Sequence, residues 1–313
     1  MFGLANLLTS LNLLGGICSI IFSLSGRLDW AIYALAIAAV LDFLDGFVAR
    51  YTKTDGLLGK QLDSLADMVS FGVAPGLFMF VMIIIGIDPS GLMKNAEGVQ
   101  SYGGVAQEYV VAQLIDWKSA FFYGRNNTYN ASIQYLPFVA LIIPFFALFR
   151  LAKFNIDERQ TDRFIGVPTP TATIFFAFFP LYFWFELQNW GHQSTFIYTV
   201  FDCYSLSIIS VLFSILMIVE LPLIALKFKN FKWSGNQYRY ILLLISLISI
   251  PLFLIWAIPI IIILYLILSI IENFQFKQHE IQSWNRRHAP WRTFRSTRKS
   301  GHQPHEKHRA CPN

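Results

Sequence analysis

The chain has 313 residues, of which 55% are hydrophobic and 14% charged, with a net charge of +5 and a mean hydropathy of +0.50. This is too apolar for a water-soluble protein of such length and points to a polytopic membrane protein. Three cysteines, Cys18, Cys203 and Cys311, stand far apart with no Cys-x-x-Cys pair, so neither a disulfide framework nor a zinc site is indicated. The expected fold is all-α: a polytopic membrane helix bundle of about eight spans over residues 1–276, with a loop inserted at 88–134 and a basic tail at 277–313.

In chain order, Asn6, Thr9 and Asn12 lie among leucines and predict an interfacial turn feeding a first span that ends near Ser25 and Gly26. No basic n-region or small-residue cleavage site precedes it, so the apolar run is read as retained. A second helix, about Leu28 to Arg50, ends in Asp42-Phe-Leu-Asp45-Gly46-Phe-Val-Ala49-Arg50. The third, about Gln61 to Ile87, begins inside Gly59-Lys-Gln-Leu-Asp63-Ser-Leu-Ala-Asp67. Asp42 and Asp45 are three apart and Asp63 and Asp67 four apart, so each pair shares one helix face. Four carboxylates in membrane-grade sequence are costly and repel one another unless cations sit among them. All-oxygen ligands favour Mg2+ or Mn2+ over zinc or copper. Gly46, Ala49 and Gly59 are small enough to let a ligand approach the backbone closely. Pro75, with Gly72 beside it, predicts a kink in the third helix.

Residues 88–134 are polar with no sustained apolar run and read as a long extramembrane loop, which needs a function, structure of its own, or disorder. Further spans are expected at about 135–155, 168–187, 204–226, 239–254 and 256–274, with Pro251 and Pro259 breaking the last long apolar run. Placing the links at 50–60, 150–167 and 227–239 and the tail on one side collects twenty of the 24 lysines and arginines there. The positive-inside rule then puts the acidic motif and both termini in the cytoplasm. From Lys277 the composition predicts a disordered tail whose basic run, Arg286 to Lys299, is suited to anionic lipid rather than to nucleic acid, because it is tethered at a membrane.

The spacing Asp-x-x-Asp-Gly-x-x-Ala-Arg, eight residues, Gly-x-x-x-Asp-x-x-x-Asp resembles the signature of the CDP-alcohol phosphatidyltransferases, with Asp42, Asp45, Gly46, Ala49, Arg50, Gly59, Asp63 and Asp67 filling its fixed positions. Met68-Val-Ser-Phe-Gly-Val-Ala-Pro75, Arg150-Leu-Ala-Lys-Phe-Asn155 and Gly166-Val-Pro-Thr-Pro170 are similar to the phosphatidylserine synthase branch, and the resemblance covers roughly residues 1–275. It implies transfer of a phosphatidyl group from CDP-diacylglycerol to L-serine with release of CMP, at the cytoplasmic face of a bacterial-type inner membrane, by a homodimer using two Mg2+ or Mn2+ ions.

By the same resemblance Asp67 is the base, Asp42, Asp45 and Asp63 mainly hold metal, and Asp67 also touches a metal. Gly46, Ala49 and Gly59 lie against the nucleotide, while Asn6 and Thr9 are candidates for the cytidine. Arg50 is either a structural partner of a motif carboxylate or a phosphate contact. Serine needs a cation for its carboxylate and an acceptor for its ammonium. The candidates are Arg150, Lys153, Asn155 and Arg163 in one link and Ser70 on the third helix; snorkelling to headgroups is an equal reading for Lys153 and Arg163. Glycerol phosphate or an inositol as acceptor, and an acid-lined cation transporter, are the competing readings.

Overall fold

A computed structural model of the chain describes residues 3–52, 56–87, 104–124, 133–156, 164–188, 200–224, 233 and 236–288. The chain divides into a unit of residues 1–270 and a second of residues 271–313. The first is a bundle of apolar helices. α1 spans Leu4–Leu24 and α2 Leu28–Thr52. The predicted interfacial turn is absent: Asn6, Thr9 and Asn12 lie within α1, which is unbroken. Its buried stripe is Ala5, Thr9, Asn12, Gly16, Ser19 and Ser23, at helical spacing, while Leu4, Leu7, Leu11, Leu14, Ile21 and Leu24 face outward. A helix that turns its small and polar residues inward and its leucines outward is built for lipid, where close backbone approach rather than hydrophobic burial holds helices together. Gly15 and Gly16 show how close: a Cβ on Gly15 would stand 3.0 Å from the Ala38 Cβ of α2, and one on Gly16 2.5 Å from the Ser70 Oγ.

The third apolar segment runs as α3, Leu57–Asp67, then a π-helical stretch, Met68–Val73, then α4, Ala74–Ile85. Pro75 stands in the first turn of α4. Lacking an N–H, it leaves the carbonyl of Phe71, four residues earlier, without its α-helical donor, and the Thr173 hydroxyl donates to that carbonyl at 3.0 Å. The expected kink thus takes the form of a wide turn whose freed carbonyl is satisfied from another helix.

The polar insertion contains a helix that the sequence reading missed, α5, Gly104–Tyr123. Tyr109, Val110, Gln113, Trp117 and Ala120 form its buried stripe, and Trp117 packs on Phe80, Phe121 and Phe138 and donates to the Gln134 carbonyl at 2.9 Å. Polar neighbours dilute the average hydropathy of this segment, so only the period gives it away. A 3₁₀ stretch, Ile133–Leu141, leads into α6, Ile142–Ile156. α7, Thr169–Gln188, and α8, Cys203–Ile218, follow, and then α9, Gln237–Phe253.

The last long apolar run is broken where Leu254 adopts a φ of 47°, three residues after Pro251. From there α10 spans Ala257–His288. Ile224, Leu242 of α9 and Leu268 of α10 share a small core. Every expected apolar helix is present, and among the described residues five segments, Leu4–Leu24, Leu28–Thr52, Leu58–Ile85, Ile133–Ile156 and Gln237–Gln275, are long and apolar enough to cross a membrane. The chain is an integral membrane protein with an all-helical body. Its described extended pairing is a two-residue one, β1, Phe164–Ile165, against β2, Pro222–Leu223.

In the second unit, residues 271–288 are helical, including the stretch from 277 that the composition had suggested to be irregular. Helix propagation costs little once a nucleus exists, and polar residues do not stop it.

Candidate functional site

α1, α2 and α3 meet at the acidic end of the bundle and enclose a cleft of about 530 Å³. Its floor is Gly46, Ala49 and Gly59, and Asn6, Thr9, Arg50, Asp45 and Asp63 line it. A Cβ built on Gly46 would meet nothing nearer than Arg50 at 4.0 Å, and one on Gly59 would lie 3.4 Å from the Asn6 Oδ1. The glycines are therefore not forced by packing; a side chain there would occupy the cleft itself.

One carboxylate oxygen from each of Asp42, Asp63 and Asp67 lies within 4.8 Å of the others. Asp42 and Asp67 approach closely enough to share a hydrogen bond. Asp45 is 4% exposed, and its Oδ2 is buried without a hydrogen-bond partner. Helix periodicity explains the convergence: Asp42 and Asp45 on the end of α2, and Asp63 and Asp67 on α3, point from two adjoining helices into the same space. Three crowded carboxylates and an orphaned buried carboxylate oxygen are a poor arrangement alone and a good one around hard cations. The donor set is all oxygen, so the site fits a divalent metal.

Arg50 leans over the cleft with its Nε donating to the Gly46 carbonyl at 2.9 Å, a main-chain anchor rather than an ion pair with a motif aspartate. Lys60 and Gly56, which the sequence reading did not single out, also line the cleft. Asn12, likewise missed, is fully buried and donates through Nδ2 to the Asp67 Oδ1 at 3.4 Å. The signal for Asn12 was its place on the Ala5-Thr9-Asn12-Gly16 stripe, one turn beyond Thr9.

The residues considered for serine are dispersed. The Ser70 hydroxyl is fully buried and donates to Asn12, 2.8 Å from its Oδ1 and 3.1 Å from its main-chain oxygen. Asn155 donates to the Ser64 hydroxyl at 2.7 Å, and its carbonyl accepts from Lys60 at 3.2 Å, which ties the end of α6 to the rim of the cleft. Lys153 pairs with Glu220 at 2.6 Å, an exposed contact of little energetic weight. Arg163 lies outside the described residues.

Arg150 is 4% exposed and donates to the carbonyls of Val167 at 3.2 Å and Gly166 at 3.4 Å. Gly166 has a φ of +80°, and a Cβ there would lie 2.7 Å from the Met217 carbonyl, so the two branch-like segments Arg150–Asn155 and Gly166–Pro170 are parts of one clamp. The sequence reading places Arg150 on a serine carboxylate; the structure gives these donors to the main chain. Arg150→Ala is accordingly expected to lower unfolding stability by about 2–4 kcal/mol, because buried carbonyls lose charge-assisted donors. Chemical unfolding followed by α10-independent aromatic fluorescence would measure it, and a variant as stable as the parent would show that the clamp contributes nothing.

Fold and site together define a class: an integral-membrane helix bundle with a carboxylate-walled, glycine-floored cleft at one end. The family model of the CDP-alcohol phosphatidyltransferases matches residues 2–89, the stretch that contributes the cleft-lining helices. Over a longer range the chain is similar to a Helicobacter pylori protein named CDP-diacylglycerol–serine O-phosphatidyltransferase, at 29% identity over 85% of this chain and 89% of the relative. A Methanothermobacter thermautotrophicus archaetidylserine synthase is 42% identical over 25% of this chain and 34% of its own length. A Saccharomyces cerevisiae protein, again named CDP-diacylglycerol–serine O-phosphatidyltransferase, is 41% identical over 25% of this chain and 31% of the relative.

Proposed function

We propose that the protein transfers the phosphatidyl group of CDP-diacylglycerol to L-serine and releases CMP. The observation that carries this reading is the convergence of Asp42, Asp63 and Asp67 beside a cleft whose other walls are the remaining signature residues. The relatives' names supply the donor and acceptor. Asp42, Asp45 and Asp63 would hold two divalent ions, Mg2+ or Mn2+, with Asp67 at their edge. When bound, such ions supply positive charge to a pyrophosphate and to the oxygens of an in-line displacement. Gly46, Ala49 and Gly59 let the nucleotide lie against the backbone, Asn6 and Thr9 face the cytidine, and Arg50 and Lys60 overhang the cleft where phosphates enter.

Serine's hydroxyl is a weak nucleophile while protonated. Asp67 takes that proton as the new oxygen–phosphorus bond forms, and the phosphate–phosphate bond breaks with its electron pair leaving on CMP. Asn155, joined to Lys60 at the rim, is the better placed of the branch-like residues for the acceptor; Lys153 and Arg163 serve the anionic lipid surface. The cleft faces the cytoplasm of an inner membrane, a reading supported by the lysines and arginines concentrated in residues 50–60, 150–167 and 227–239 and in the tail.

A cation transporter would set its carboxylates along the mid-membrane path, whereas these stand at helix ends beside an open cleft. CMP release from CDP-diacylglycerol by purified protein, measured with serine, glycerol phosphate, inositol and no acceptor, tests the reading. Release that depends on serine supports it; release only with another alcohol reassigns the acceptor; no release with any alcohol overturns the transferase.

A further inference from the structure

A directed hydrogen-bond chain crosses from the π-helical turn to the acidic cluster. Ser70, on Met68–Val73, is fully buried, and its hydroxyl donates to the Asn12 Oδ1 at 2.8 Å. That contact fixes the amide: with its oxygen accepting from Ser70, Asn12 presents Nδ2 to the Asp67 Oδ1 at 3.4 Å. Asn12 is itself fully buried, so it has no solvent partner to trade against Asp67. The turn that carries Ser70 is pinned from its other side by the Thr173 hydroxyl on the Phe71 carbonyl. Gly16, one turn beyond Asn12, permits the approach, since any Cβ there would collide with Ser70.

We propose that Asn12 is a positioning residue for Asp67. Its N–H occupies one oxygen of the carboxylate, holds the group in one rotamer, and leaves the other oxygen to meet the acceptor hydroxyl. Ser70 acts one step further back by setting the orientation of the amide. This rests on the phosphatidyl-transfer reading and assigns Ser70 a supporting place rather than contact with the substrate. It also accounts for the wide turn immediately after Asp67, which brings Ser70 to face α1.

The test uses the full chain in detergent micelles containing CDP-diacylglycerol, with whichever acceptor alcohol the parent protein turns over. Asn12→Ala should lower kcat by roughly 30- to 100-fold while the donor KM stays within about twofold, the signature of a contact made in the reacting state. Asn12→Asp keeps the shape and removes the donor, so it should lose at least as much; activity near the parent's would mean that volume alone matters. Ser70→Ala should lower kcat roughly five- to tenfold, and the double variant should be no worse than Asn12→Ala, because the two belong to one chain. Additive losses, or an unchanged kcat in Asn12→Ala, would overturn the proposal. If Asn12→Ala does not fold, an unchanged kcat in Ser70→Ala does so by itself. A parent protein that uses another alcohol overturns the choice of serine and leaves the Asn12 comparison intact, so the two failures are distinguishable.

Discussion

Asp67→Asn is expected to abolish transfer, with kcat falling by about 10³-fold or more, while CDP-diacylglycerol still binds with nearly the parent's affinity. The replacement is isosteric and can still accept from the Asn12 amide, so the local packing around Asn12 and Ser70 is retained. What it cannot do is take a proton from the acceptor hydroxyl, a role worth roughly 10²- to 10⁴-fold in rate. Asp63→Asn should behave differently. Asp63 lines the cleft as well as belonging to the carboxylate cluster, so its loss removes a donor contact and should raise the donor KM along with lowering kcat. Donor binding measured by titration with labelled CDP-diacylglycerol, beside single-turnover CMP release, separates the two variants. Equal binding losses would show that Asp63 and Asp67 do not divide their work in this way.

Chelation should be as severe. With excess EDTA, turnover is expected to fall to background and to return with Mg2+ or Mn2+, because Asp42, Asp63 and Asp67 crowd one space among the described residues and Asp45 keeps a buried oxygen without a donor. The same argument gives a readout independent of catalysis. Ions that bind the folded cluster and not the unfolded chain stabilise the fold, by about 2.7 kcal/mol at a hundred times the dissociation constant. The thermal unfolding midpoint should therefore rise with Mg2+ or Mn2+ and drop on chelation, and Asp42→Asn should shrink that difference by removing one ligand. Full turnover in EDTA, with a midpoint indifferent to divalent ions, would remove the metal from the site.

Much of this site could be read from residue spacing. Two carboxylates three apart and two four apart need only helical periodicity to converge, and membrane-grade flanking sequence makes helices the available choice. Small residues at 46, 49 and 59 announced a close approach, and the cleft is where they lie. The reading failed where periodicity was masked. α5 hid among polar residues because its buried stripe, Tyr109 to Ala120, includes Gln113 and is interleaved with Asp116 and Lys118. α1 was taken to begin in a turn because Asn6, Thr9 and Asn12 look like breakers in water, whereas in a lipid-facing helix polar residues turn inward.

The sequence by itself determined the membrane class and the run of apolar helices and placed each pair of aspartates on one helix face, because hydropathy, length and i, i+3 or i, i+4 spacing are properties of a chain before it packs. Tertiary structure alone decided how individual polar side chains are used. Arg150 reads as a substrate cation until Gly166 and Val167 present their carbonyls to it. Ser70 reads as a cleft residue until the π-helical turn after Asp67 carries it to α1. A buried donor goes to whichever acceptor packing brings within about 3 Å, and which one that is depends on crossing helices far apart in the chain. No local pattern encodes that choice.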